Sequence, residues 1–250
     1  MVPIRGSAGI LAIGVTFLLL LPSFASAQTS TSTPLPLNIY LQQKVMENLQ
    51  AYLVLPNIAG KPLAGIPVVN ALATDWAAGG FFGAINPYTE ARYDTDPATI
   101  DRVTGKPTAA EGSGLIFLGG RAVQIGVWYY EQGGGNSPVY FDSDGKNAWF
   151  VQRGVGMIAG SSISLSDVAA GSRDMLVIQL FYDAGRRYVL IVYGFTFRGT
   201  FAAALMFHKE IWPSLFAYGD SWYIIQWQDN GNGNVDPPGV DTYTIIASGP

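Results

Sequence analysis

The chain reads as an α/β protein built on a mixed sheet, and three observations lead to that expectation. Residues 115–118 (LIFL) are apolar without alternation, as in a strand buried on both faces. Gly119-Gly120 and a stretch of helical spacing follow, and the same order of strand, glycine and helix returns in YVLIVYGFTFRGTFAAALMF from Tyr188 to Phe207. Between the two lie short extended runs joined by turn sequences, which read as hairpins.

Taken from the N-terminus, Arg5 precedes an apolar run from Ile10 to Leu21, then Pro22 and Ala25-Ser26-Ala27. One positive charge, a short apolar core and a small-x-small site mark residues 1–27 as an export signal, either cut before Gln28 or retained as an anchor. No later segment offers the roughly 20 uninterrupted apolar residues of a membrane helix. Residues 28–37, with their Ser, Thr and Pro, read as a stalk, because they cannot bury an apolar face. The remainder, 38–250, reads as one α/β domain with a helical and irregular lobe over 38–111 and a regular part over 112–250.

In the lobe, Ile39, Val45, Met46, Leu49, Tyr52 and Leu53 have helix-compatible spacing. VVNALATDWAA predicts a short helix ending before Gly79-Gly80, and 81–111, rich in Gly, Pro, Asp and Thr, predicts a long loop. In the regular part, a strand over 115–118 leads to a helix over 122–131. A hairpin over 138–141 and 148–152 turns at Asp142-Ser143-Asp144-Gly145, and strands over 175–182 and 188–193 form a second hairpin. A helix capped by the Thr200 hydroxyl, with Phe201, Leu205, His208 and Trp212 in a stripe on one face, stops at Pro213, and strands over 221–227 and 243–247 close the chain.

Composition narrows the function. Only 13% of residues are charged while 49% are hydrophobic, which indicates a packed chain with part of its surface covered by neighbours. The net charge of −4 with no basic cluster excludes a nucleic-acid footprint. The absence of cysteine excludes disulfides and thiolate metal sites.

GGRAVQ lacks the third glycine of a dinucleotide fingerprint and no GK[ST] occurs, so the first glycine passage reads as a structural corner in preference to a phosphate cradle. His208 is the only histidine, beside Lys209 and Glu210, and reads as a polar residue near a helix end. With no GxSxG elbow a Ser-His-Asp hydrolase is disfavoured, which leaves a carboxylate pair acting without histidine, as in glycosidases, as the catalytic alternative. The best ligand candidate is the loop Asp229, Asn230, Asn232, Asn234 and Asp236, whose side-chain oxygens alternate with glycines. It fits a Ca²⁺ loop and a plain polar loop equally, since Asp229 lies one residue too close to the Asn-Gly repeat for an EF-hand and no glutamate closes it.

From Gly114 to Pro250 the order of three motifs resembles archaeal S-layer and S-layer-like surface proteins. YGFTFRGTFAAALMF resembles their strand, Gly-Thr and Ala-rich helix segment. LIFLGGRAVQ is similar to their Gly-Gly-Pro-Ala-x-Asn corner, with Arg121 in place of Pro and Gln124 in place of Asn, and Gly65-Ile-Pro-Val-Val-Asn70 echoes it. WQDNGNGNVDPPGVDTYTII is similar to their terminal strand, loop and closing strand. The resemblance implies a non-enzymatic, exported protein of the cell surface that acts by self-association or by attachment to other envelope proteins. The chain departs from that pattern in having no Asn-x-Ser/Thr sequon. The competing expectation is a secreted solute- or glycan-binding protein that stacks its ligand on Trp76, Trp128, Trp149 or Trp222.

Overall fold

The computed structural model describes residues 32–40, 51–57, 66–85 and 89–250. The signal reading over 1–27 lies outside them, as do the first residues of the expected stalk. Elements follow in the order β1 (Thr33–Pro34), α1 (Leu37–Tyr40), β2 (Ala51–Leu55), α2 (Ile66–Ile85), β3 (Glu90–Tyr93), β4 (Gly114–Leu118) and α3 (Ile125–Glu131). Then come β5 (Val139–Ser143), β6 (Asn147–Gln152), β7 (Gly156–Met157), β8 (Ile163–Ser164), α4 (Leu165–Ala170), β9 (Arg173–Tyr182) and β10 (Tyr188–Gly194). α5 (Phe197–Met206), β11 (Trp222–Gln228) and β12 (Thr242–Gly249) complete the chain.

The fold is α/β. The large sheet runs β12-β11-β9-β10-β4-β2-β3, with β1 added beside β9. β3, β2, β4 and β10 are mutually parallel, whereas β9 is antiparallel to β10 and β11, and β12 to β11. β10, α5 and β11 therefore form a crossover that passes over β9.

Alternation along the strands sorts two apolar layers. Leu53, Leu55, Ile116, Leu118, Leu190 and Val192 face α2 and α5. Tyr52, Val54, Leu115, Phe117, Val189 and Ile191 face α3, α4 and a small sheet of β5, β6, β7 and β8. β2, β4, β9 and β10 are covered on both sides, which is why β2 and β4 read as unbroken apolar runs.

Four expectations for the first part of the chain are corrected. Ala51–Leu55 is a buried strand beside β4, not the end of a helix. A continuous apolar run satisfies helical and strand spacing alike, and pairing on both sides decides the outcome. α2 does not stop at Gly79-Gly80 but runs on to Ile85. A Cβ on Gly79 would meet Leu55 and Leu53 at 3.0 and 3.1 Å, so this glycine lets the helix lie on β2. The irregular stretch supplies β3, parallel to β2. From Ser32 onward the stalk reading also gives way: Thr33 and Pro34 pair with Tyr182 and Phe181, and Leu35 and Leu37 are buried.

In the regular part each expected element is present. α5 continues past Met206 as a π turn over Phe207–Ile211 before Pro213. The cap is Thr196, whose Oγ1 accepts from Gly199 N at 3.4 Å. Thr200, expected in that role, accepts from Gly194 N at 3.3 Å and ties the helix to the strand it leaves.

Candidate functional site

In an open sheet, ligands bind beyond the carboxyl ends of parallel strands where successive helices leave to opposite faces. α2 after β2 and α5 after β10 lie on one face, and α3 after β4, the strand between them, lies on the other. The seams β2/β4 and β4/β10 are therefore the positions where a ligand would be held.

At the first seam Gln124, fully buried, caps the strand ends: its Nε2 donates to Val54 O at 2.8 Å and lies 3.5 Å from Leu118 O. Asp94, at the end of β3, is also buried. One of its oxygens accepts from Asn57 N at 2.7 Å and the other from Ile125 N, the first amide of α3, at 3.2 Å. A carboxylate of the chain itself thus stands where the helix N-terminus would receive an anion. Asp75 of α2 fills the corner further, since a Cβ on Gly119 (φ 90°) would meet its Oδ2 at 2.6 Å.

At the second seam Gly119 N donates to Val192 O at 3.3 Å and a Cβ on Gly120 would meet the Tyr193 ring at 3.1 Å, while a buried carboxylate holds the start of α5 from the β9 side of β10. Asp174 opens β9 and is 1% exposed. Its Oδ1 accepts from Met175 N at 2.7 Å and Phe195 N at 3.1 Å, and its Oδ2 from Thr196 N at 3.0 Å and Thr196 Oγ1 at 2.5 Å. Burial pushes its carboxyl up to about 6, against the lowering effect of the Thr196 hydroxyl and those amides. Gly194 and Gly199 approach so closely that a Cβ on either would overlap the other's Cα.

Arg121 does not face an anion position. Its Nη1 donates to Phe141 O at 2.8 Å, its guanidinium lies 4.5 Å above the Phe141 ring, and it approaches the buried Glu131 carboxylate at 3.6 Å. Tyr193 donates its hydroxyl to the other Glu131 oxygen. Arg153 reaches the Glu131 carbonyl at 2.9 Å and Ser137 O at 2.9 Å. Burial pushes the Glu131 carboxyl up to about 7, with Tyr193 and Arg121 pulling it down. The side chain of Gln179, on β9, meets both the N–H and the C=O of Val139, at 3.0 and 2.9 Å. Together these contacts fasten β5 and β6 to the large sheet.

The 229–236 loop is organised by its own oxygens. Asp229 accepts from Gly231, Asn232 and Gly233 amides at 3.0, 3.2 and 2.9 Å. Asn230 Oδ1 accepts from Asn232 N, Asn232 Oδ1 from Asn234 N, and Asp236 Oδ2 from Asn232 Nδ2. Asp241 closes the loop from behind, accepting from Asn230 N, Asp236 N and the Trp227 indole. The five oxygen-bearing residues singled out in the sequence are therefore contiguous, bound to one another and to loop amides. Among the described residues, no group of three His, Cys, Asp or Glu side chains is placed to share a metal ion.

His208 leans on Phe81 at 5.3 Å, and Phe201 packs on the same ring, so the stripe on α5 faces α2. A groove of about 480 Å³ lies between α2, the start of α5 and the 229–236 loop, with Ala77, Phe201, Arg198 and Asn234 in its walls. None of the tryptophans lines it. Trp222 is buried on β11, with its indole donating to Pro250 O, whereas Trp76 stands half-exposed against Tyr93.

Comparisons with family models, curated proteins and solved structures find nothing that matches this chain.

Asp94, Gln124 and Asp174 do not stand out in the sequence, because their roles depend on strands brought together from distant segments. Gln179 does carry a signal: it is the one polar residue inside MLVIQLFY, and a polar group buried in a central strand must find a partner.

Proposed function

We propose that this chain is an exported, non-enzymatic cell-surface protein of S-layer-like type that works in envelope structure or extracellular assembly. The observation carrying the reading is the filling of the β2/β4 seam by Gln124 and Asp94 and of the α5 N-terminus beyond β10 by Asp174. The positions an α/β enzyme leaves open for substrate are occupied here by internal hydrogen bonds. The export signal read from the sequence over 1–27 and the ordered resemblance from Gly114 to Pro250 support the rest of the reading. Fractionation of native cells, with light scattering on the purified protein, tests it. The expected outcome is an envelope-bound fraction and a purified species larger than one chain. Recovery as a free monomer in the medium at every ionic strength and Ca²⁺ level would overturn it.

The groove beside Arg198 favours one second reading, a solute or glycan binder with apolar walls and a few polar groups. Saturable, Arg198-dependent binding of a carboxylate or sugar by a monomeric protein would promote it.

A further inference from the structure

The two edges of the large sheet are finished differently. β3 is four residues long and carries an ion pair between Glu90 and Arg92, features that deter pairing with another chain. β12 has neither charge nor proline over Thr242–Gly249, and among the described residues it pairs only with β11. Its outer N–H and C=O groups form an open template.

The register against β11 shifts between Ile224 and Ile225, which makes Ile246 a bulge that divides this edge. Beyond it, Ser248 is bonded to Asp220, and Gly249 is buried against the Trp222 ring. The open portion is Thr242–Ile245. Tyr243 and Ile245 stand opposite Trp227 and Ile225, on the α5 side of the sheet, and Ile245 is left 45% exposed.

The geometry points to a second copy of this chain as the occupant, with β12 pairing antiparallel to β12 about a two-fold axis at Thr244. This rests on the assembly reading above and names its surface. Identical antiparallel strands are self-complementary in main-chain hydrogen bonds. Centring the pair on Thr244 sets Thr244 against Thr244 and each Ile245 against the other copy's Tyr243. Threonine pairs and aromatic/β-branched pairs are among the cross-strand contacts that stabilise antiparallel sheets. In a chain of net charge −4, an uncharged strand also brings no like charges together. With the β3 edge guarded, each copy offers one open edge of the large sheet among the described residues, so pairing there closes as a dimer and does not propagate as a fibre.

Because the chain lacks cysteine, Thr244→Cys introduces a single thiol. Residues facing across a two-fold antiparallel pair have the Cα separation a disulfide needs, about 4.5–5.5 Å. Mild oxidation of purified Thr244→Cys should give a covalent dimer, whereas Ala91→Cys, exposed on the guarded edge with the Glu90–Arg92 pair intact, should not. Light scattering should show Ile245→Lys dimerising at least tenfold more weakly than wild type, with the same melting curve as wild type only at dilutions where both are monomeric. Wild type that associates while Ile245→Lys does so equally, or while Thr244→Cys crosslinks no better than Ala91→Cys, would overturn this surface and leave the assembly reading standing. A monomeric wild type with no crosslink would overturn both. A Thr244→Cys adduct to a different envelope protein alone would overturn the second copy as occupant.

Discussion

Burial pushes the Glu131 carboxyl up to about 7, so the folded protein holds a proton there that the unfolded chain releases near 4.5. The sign follows from linkage: the stability this group contributes is complete below about 4.5 and is lost as pH rises to about 7. A shift of that size corresponds to at most about 3 kcal/mol. Asp174, raised to about 6 by the same cause, adds a slope of the same sign between about 4 and 6. The Glu131→Gln variant isolates the first effect, since glutamine can still accept from Tyr193. Denaturant unfolding from pH 4 to 8 should show wild type losing more stability with rising pH than the variant. Parallel profiles would show that Arg121 holds the carboxylate charged throughout.

Gly194 and Gly199 set the distance between β10 and α5, because each takes up the space of the other's missing side chain. Ala202, Ala203 and Ala204, fully buried, extend that close approach along the helix. Gly194→Ala should therefore cost about 1–3 kcal/mol by overpacking. Gly80, in the middle of α2 with nothing within 4 Å of a Cβ, provides the contrast. Gly80→Ala should be stabilising by up to about 1 kcal/mol, read from the same denaturant curves.

The 229–236 loop is the other element with a distinct expectation. Its carboxylates already accept loop amides, so melting curves with Ca²⁺ and with chelator should coincide, whereas Asp241→Ala should lower the melting point. A drop on chelation that Asp236→Ala abolishes would assign the loop to calcium.

At the scale of the molecule, the sequence disclosed what local pattern can encode. The runs LIFL, MLVIQLFY and YVLIVY, the turn at Asp144-Gly145 and the Ala-rich helix were all legible because neighbouring residues determine them. Ala51–Leu55 was not, since its strand state comes from pairing with β4 across some sixty residues of chain. The seams were hidden for the same reason: Asp94 reaches α3, Gln124 reaches β2 and Asp174 reaches α5 only after the sheet has formed.

The central claim is that these strand ends are occupied by the chain itself. Thermal melting with ATP, NAD and inorganic phosphate tests it most directly, because a ligand that binds only the folded state must stabilise it. For wild type, and separately for Arg121→Ala, the curves with and without each ligand should superimpose at every ligand concentration. A saturable rise in melting temperature with one of these anions, lost in Arg121→Ala, would contradict it.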